Sequence, residues 1–173
     1  HIVITDEMVK DAIHLSNENR RAVQRLYGLM KLDPPPMTGK ELFQILYGNK
    51  YQLDLQKVPE VLDTVRERIL EEYQKNPPTR RKPRILITGC PMGGDSSKIV
   101  DVIEKHGGVV VAFENCTGIK AQDRLVDEDN PDLYAALAER YLMIGCAVMT
   151  PNDNRIELLG RTIDEFHVDG VIE

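Results

Sequence analysis

The chain has 173 residues, 42% apolar and 29% charged, with no tryptophan and 5% aromatic residues, a mix that describes a globular fold with an aliphatic core and no need of disulfide staples. No stretch of about 18 apolar residues argues for a transmembrane helix, and residues 1–6 lack the basic and apolar regions of a signal peptide. Residues 1–83 carry 14 Lys and Arg against 12 Asp and Glu, while residues 84–173 carry 8 against 16; an acidic half of this size lacks the clustered cations that nucleic acid requires.

The first half reads as helices. Thr5 can cap a first helix, with Asp6 and Glu7 in the turn where the helix dipole favours acids. Val9, Ala12, Ile13, Val23, Leu26, Tyr27 and Met30 then recur close to a 3.6-residue period, until Pro34-Pro35-Pro36 ends the pattern. Thr38 can cap a short second helix through Glu41, Leu42, Ile45 and Leu46, closed by Gly48. A third helix is predicted over residues 57–75, burying Val58, Val61, Leu62, Val65, Ile69 and Leu70 and stopped by Asn76-Pro77-Pro78. Arg80-Arg81-Lys82 lies in a proline-bounded linker and reads as a solvated hinge.

At Pro83 the pattern changes. Arg84-Ile85-Leu86-Ile87-Thr88 and Val109-Val110-Val111-Ala112-Phe113 are short continuous apolar runs, as expected of strands buried on both faces. Between them come a Gly-rich turn and a helix over residues 96–106, broken by Gly107-Gly108. Further helices are predicted over residues 132–142 and from Pro151 or Asn152 to about Phe166, with a short apolar segment at 143–149 between them. Residues 168–173 start a third strand. This alternation predicts an α/β fold: a Rossmann-like open parallel sheet with flanking helices, preceded by a helical linker region. The last strand of such a sheet ordinarily has a covering helix, so the chain is expected to be a segment of a longer protein.

Ligands of open α/β sheets bind beyond the carboxyl ends of the strands. Cys90 follows the first strand and Cys116 the second; if residues 143–149 form a strand, Cys146 joins them at the same edge. Three soft ligands brought together would suit an iron–sulfur cluster or zinc. The alternative is three thiols packed as small hydrophobes. An odd count, widely spaced, does not make a disulfide framework and points to a reducing compartment. Gly89 and Gly94 have the spacing of a phosphate-binding loop, but Asp95 stands where that motif needs lysine, so a tight turn is the better reading. Glu114, beside Cys116 at a strand end, could act as an acid or base or cap the next turn. Arg155 is the cation placed to contact an anionic substrate. His1, His14, His106 and His167 are scattered and read as surface or helix-end residues, and Arg20-Arg21 as surface charge.

Six segments stand in order: Ile-Leu-Ile-Thr-Gly-Cys-Pro-Met-Gly-Gly at 85–94, Phe-Glu-Asn-Cys-Thr-Gly-Ile-Lys at 113–120, Ala-Leu-Ala-Glu-Arg-Tyr-Leu at 136–142, Ile-Gly-Cys at 144–146, Pro-Asn-x-x-Arg at 151–155 and Val-Asp-Gly-Val-Ile at 168–172. Together they resemble the 2-hydroxyacyl-CoA dehydratase and benzoyl-CoA reductase superfamily, and most closely its double-cubane-cluster-containing anaerobic reductases. Asn17-Glu18-Asn19-Arg20-Arg21 and the proline-rich turn before Thr38-Gly39 are similar to the family's inter-domain helices. The resemblance implies a cytoplasmic iron–sulfur reductase or dehydratase carrying low-potential electrons to a small or acyl-CoA substrate. It also implies an ATP-hydrolysing activator protein that delivers the electrons, and a homo- or heterodimer without membrane or nucleic-acid partners. It implies that Cys90, Cys116 and Cys146 ligate one [4Fe–4S] cubane of a double cluster. Residues 1–82 would then be a helical inter-domain region and 83–173 a truncated cluster-bearing α/β domain. The family's N-terminal cysteines and later Cys-His segment are missing, so the fragment alone is expected to be apo and inactive. A plain 2-hydroxyacyl-CoA dehydratase subunit and a metal-free Rossmann-like scaffold are the alternatives.

Overall fold

In a computed structural model, described over residues 3–173, six α-helices and three strands follow in the predicted order. Helix α1 (Asp6–Tyr27) begins where Thr5 Oγ1 accepts from the Met8 amide at 3.3 Å, and it tightens into a 3-10 turn (Gly28–Lys31) before the prolines. Helix α2 (Gly39–Asn49) carries a reciprocal cap: Thr38 Oγ1 accepts from the Glu41 amide at 3.2 Å while Glu41 Oε2 accepts from the Thr38 amide at 2.8 Å. Helix α3 (Val58–Lys75) packs chiefly on α1 and buries Val58 and Leu62. Val61, expected in that face, is 50% exposed. It lies at the margin of the Val58–Leu62–Val65–Ile69 stripe, and one partner helix covers only the centre of a stripe.

Strands β1 (Arg84–Thr88), β2 (Val109–Glu114) and β3 (Gly170–Ile172) form a parallel sheet in the order β2-β1-β3. All six residues of β2 are buried, which is why its sequence shows no polar alternation. Helix α4 (Lys98–Lys105) connects β1 to β2, and α5 (Leu133–Leu142) and α6 (Asp153–Glu165) lie between β2 and β3. The chain crosses first to one side of β1 and then to the other, so the crevice of the fold falls between β1 and β3. One core spans both halves of the sequence: Leu26, Met30, Leu42 and Leu62 pack in the same cluster as Leu86, Val110, Phe113 and Phe166.

Residues 143–149 do not form the strand considered from their composition; they are a series of turns leading into α6. Val148 there is 85% exposed, so its apolar character serves no sheet. Arg81 is more than a solvated linker residue: it joins Asp33 at 3.1 Å to Asp169 at 2.9 Å. Of the histidines, His106 and His167 end α4 and α6, His14 meets Glu128 at 2.7 Å, and His1 lies outside the described residues. Among the described residues no helix is long and apolar enough to cross a membrane.

Two polar anchors organise this core. The Arg84 guanidinium is closed to solvent and donates to the carbonyls of Met30 at 2.5 Å, Phe166 at 2.8 Å and Leu32 at 2.9 Å. Asn17, equally buried, donates to the Val126 carbonyl at 2.8 Å and accepts from the Val126 amide at 3.0 Å, as one strand pairs with another. Its amide also donates to Glu128 at 2.8 Å, which Arg21 meets at 3.1 Å. Arg21 is therefore a cross-link between α1 and the 126–128 segment as well as surface charge.

Replacing Arg84 with Met strands three carbonyls and is expected to cost about 3–5 kcal/mol, read from urea unfolding midpoints. The Asn17 amide, His14 and Arg21 hold the Glu128 carboxyl down from 4.5 to about 2. A lowered folded value means a contribution complete above pH 4.5 and lost as pH falls toward 2. Glu128→Gln should therefore melt lower than wild type at neutral pH and show a flatter loss of Tm across that acid window.

Candidate functional site

The loops that follow β1 and β2 are tied to each other. After β1 the chain turns at Gly89, with φ at 108°, exposes Cys90 and buries Met92. After β2, Asn115 Oδ1 accepts from the amides of Thr117 at 3.0 Å and Gly118 at 2.9 Å, a side-chain turn that leaves Cys116 exposed at its tip. Thr117 then reaches across: its hydroxyl donates to the Met92 carbonyl at 2.7 Å. Only glycine fits at 118, because a Cβ there would lie 1.9 Å from the Phe113 carbonyl oxygen. Lys50, just past α2, donates to the Cys116 carbonyl.

The third cysteine joins through the start of α6. Asn152 donates to the Cys146 carbonyl at 2.9 Å. One turn later the Arg155 Nη2 group lies 3.3 Å from Thr88 Oγ1, and its Nε stands 3.6 Å from Glu114 Oε2. Gly145 is required beneath this helix, since a Cβ would meet the Arg155 backbone at 2.8 Å. The Pro-Asn-x-x-Arg segment thus has a physical purpose: Asn152 holds the cysteine loop and Arg155 holds the strand ends.

Glu114 is the centre of charge. It is fully buried, its Oε2 accepts from the Thr88 hydroxyl at 2.5 Å, and its Oε1 lies 2.9 Å from Lys120 Nζ. Lys120 is itself buried, carried back to the strand end by the 3-10 turn Ile119–Ala121. The site therefore encloses two cations around one carboxylate. Glu173 approaches Arg155 only to 3.8 Å and is mostly in water.

The structure brings Glu114 and Arg155 together as partners and places the loops of Cys90, Cys116 and Cys146 in one hydrogen-bonded framework with them. All three thiols are free, two exposed and Cys146 half-buried. Among the described residues, no three His, Cys, Asp or Glu side chains gather closely enough for a single metal ion. A cubane binds its cysteines through separate irons, so its ligands stand further apart than those of one ion. The donor chemistry suits such a group in a second way. Asn115 Nδ2 and Arg155 Nε are buried N–H donors without a hydrogen-bond partner, one beside Cys116 and one on the framework.

Thr88, Asn115, Thr117, Lys120 and Asn152 were not singled out in the sequence. All five lie inside the ordered segments: Thr88 in 85–94, Asn115, Thr117 and Lys120 in 113–120 with Glu114, and Asn152 in 151–155. The turn resembling a phosphate loop is occupied internally: Ser96 Oγ accepts from the Gly93 amide at 2.8 Å, and a Cβ on Gly93 would meet the Tyr47 ring at 3.0 Å. It is the tight turn expected. Removing the central carboxylate alone should be worse than removing a pair. Glu114→Gln leaves Lys120 buried without its counter-charge and is expected to cost about 3 kcal/mol. Glu114→Gln with Lys120→Met should recover part of that loss in a double-mutant cycle of unfolding free energies.

Over its whole length, residues 1–173, the sequence matches the family described as 2-hydroxyglutaryl-CoA dehydratase, D-component. A curated relative from Escherichia coli (strain K12), named "Putative dehydratase subunit YjiM", is 41% identical over 170 residues, covering 98% of this chain. The chain spans 44% of that relative's length. The ordered motifs, the parallel sheet with its cysteine-bearing loops and these two matches agree, and the chain belongs to the 2-hydroxyglutaryl-CoA dehydratase D-component family.

Proposed function

We propose that this chain is the portion of a dehydratase-family subunit that supplies three thiolates, from Cys90, Cys116 and Cys146, to an iron–sulfur cubane. The observation that carries the reading is the framework joining the three cysteine loops: Thr117 to Met92, Asn152 to Cys146, and Arg155 to Thr88. Three loops from different parts of the chain are cross-tied where ligands of this fold class bind. A scaffold without a cofactor has no need of free thiols on each of them.

When bound, the cluster would supply single low-potential electrons. The chain's own residues do the rest. Asn115 Nδ2 offers a buried hydrogen bond to a sulfur or a substrate oxygen. Glu114 orients Lys120 and Arg155, acting as a positioning carboxylate. Arg155 keeps part of its side chain in reach of solvent, at 22% exposure, and is the cation for an anionic substrate group. The E. coli relative is named as a subunit, which supports a multi-subunit assembly. An ATP-hydrolysing activator as electron donor, an acyl-CoA or small-molecule substrate and a cytoplasmic, anaerobic setting complete the reading. They rest on the motif resemblance.

The test uses the full-length protein, reconstituted anaerobically with iron and sulfide. Cys90→Ser, Cys116→Ser and Cys146→Ser are each expected to lower iron content by about four atoms per chain, one cubane. Unchanged iron in all three variants would overturn the assignment and leave a plain dehydratase subunit whose cubane is held elsewhere. Absence of iron from the wild type would leave a metal-free scaffold.

A further inference from the structure

Away from the cysteine loops, two arginines face one cavity, and neither has a counter-ion among the described residues. Arg20 lies in the middle of α1 and Arg140 near the end of α5. They line a cavity of about 250 Å³ together with Ser16, Asn19, Asn49 and Gln122. No carboxylate comes within 4.0 Å of either guanidinium among the described residues; Arg66, Arg68 and Arg80 also lack one, but they do not share a cavity with a second arginine, whereas Arg21, Arg25, Arg81, Arg155 and Arg161 are each paired.

Arg140 is held at three points and Arg20 at one. Arg140 donates through Nε to the Arg124 carbonyl at 3.2 Å and through Nη2 to the Ala121 carbonyl at 2.5 Å, and it lies over the Tyr141 ring at 4.8 Å. Arg20 donates one hydrogen bond, to Asn17 Oδ1 at 3.0 Å. Each guanidinium has five N–H groups. The unused ones are not shut in the core, so they open on the cavity or on solvent.

Carbonyl acceptors satisfy hydrogen bonds but do not cancel charge. Burial pulls the Arg140 guanidinium below its usual value, and burial together with the nearby Arg140 charge does the same to Arg20. Two like charges held against one pocket are a standing cost that a bound anion removes. A monocarboxylate cancels one of them. A phosphoryl dianion cancels both, and its tetrahedral oxygens match guanidinium forks from two directions.

We propose that the cavity where α1, the α2–α3 connection and the 121–122 turn meet Arg140 of α5 is a binding site for a phosphoryl group, held by Arg20 and Arg140. The site is separate from the thiols and does not depend on the cluster reading. A phosphoryl group could arrive as free phosphate or as the ester of a larger ligand; the two share the same recognition chemistry.

The experiment titrates inorganic phosphate into the full-length protein, with sodium chloride holding ionic strength constant, and follows both Tm and the heat of binding. Wild type is expected to show saturable stabilisation and a measurable Kd. Arg20→Gln should weaken binding at least about tenfold, or about 1.4 kcal/mol. Arg140→Gln should do the same; should it fail to fold for want of its carbonyl bonds, the Arg20 variant still decides. Methyl phosphate binding as well as inorganic phosphate would assign the site to an esterified group, and inorganic phosphate alone to the free anion. The proposal is overturned by the absence of saturable binding, by Arg20→Gln binding as tightly as wild type, or by acetate binding equally well.

Discussion

The buried guanidinium of Arg84 is the joint on which the architecture turns. It opens β1 and spends its donors on carbonyls from two other elements: the 3-10 turn after α1 and the end of α6. Helix ends leave carbonyls without partners, and a buried end without one is costly. By placing a cation where two such ends meet, the fold settles α1 and α6 against the sheet at once. The arrangement also explains the aromatic pair beside it. Tyr27 and Phe166, each the residue bounding one of those helices, meet edge to face at 5.3 Å. The Tyr27 hydroxyl accepts from the Phe113 amide at 2.5 Å in β2.

That joint lies at the amino end of β1, and the cysteine framework at the carboxyl end. The strand is five residues long, so the two are rigidly related. Helix α6 runs between them: Arg155 in its first turn holds the strand ends, and Phe166 just past its last turn accepts from Arg84. A displacement of α6 at either end must be felt at the other, because a packed helix moves as a unit. The helical first half therefore contributes to the site through position. It supplies the carbonyls that fix Arg84, the Asn17 clamp on residue 126, and Lys50 against the Cys116 carbonyl.

Much of this was legible in the sequence where local chemistry decides. The caps at Thr5 and Thr38, the proline stops and the unbroken apolar runs of β1 and β2 each carry their own cause within a few residues. The miss at Val61 is geometric: periodicity gives the direction of a stripe but not the width of the partner that covers it. The 143–149 segment reads as a possible strand because Ile144, Ala147 and Val148 are apolar, yet it pairs with no strand and turns instead, where Gly145 admits the start of α6. Arg20 reads as surface charge in the sequence, and its half-buried place opposite Arg140 depends on the packing of α1 against α5. The contacts of Asn17 with Val126 and of Arg84 with Met30 span 109 and 54 residues, and nothing local announces them. The Glu114–Lys120 pair was missed for another reason. Six residues separate the two, and they meet only because Asn115 and Gly118 fold the chain back on itself.

The charge distribution shows why net charge is a poor guide to a site. Residues 84–173 hold twice as many acids as bases, which suggests repulsion of any anion. The carboxyl edge of the sheet has the opposite sign. Buried Lys120 and half-buried Arg155 flank a single buried carboxylate there, while the acids of Asp127, Asp129, Asp132 and Glu165 lie at the exposed ends of loops and helices. Exposed charges are screened over about 8–10 Å at ordinary salt, and buried ones far less. The local field at the cysteine loops is thus set by Lys120 and Arg155 and hardly by the acidic exterior. Glu114 makes that possible: one carboxylate inside the protein is enough to keep two cations in place, and too little to neutralise them.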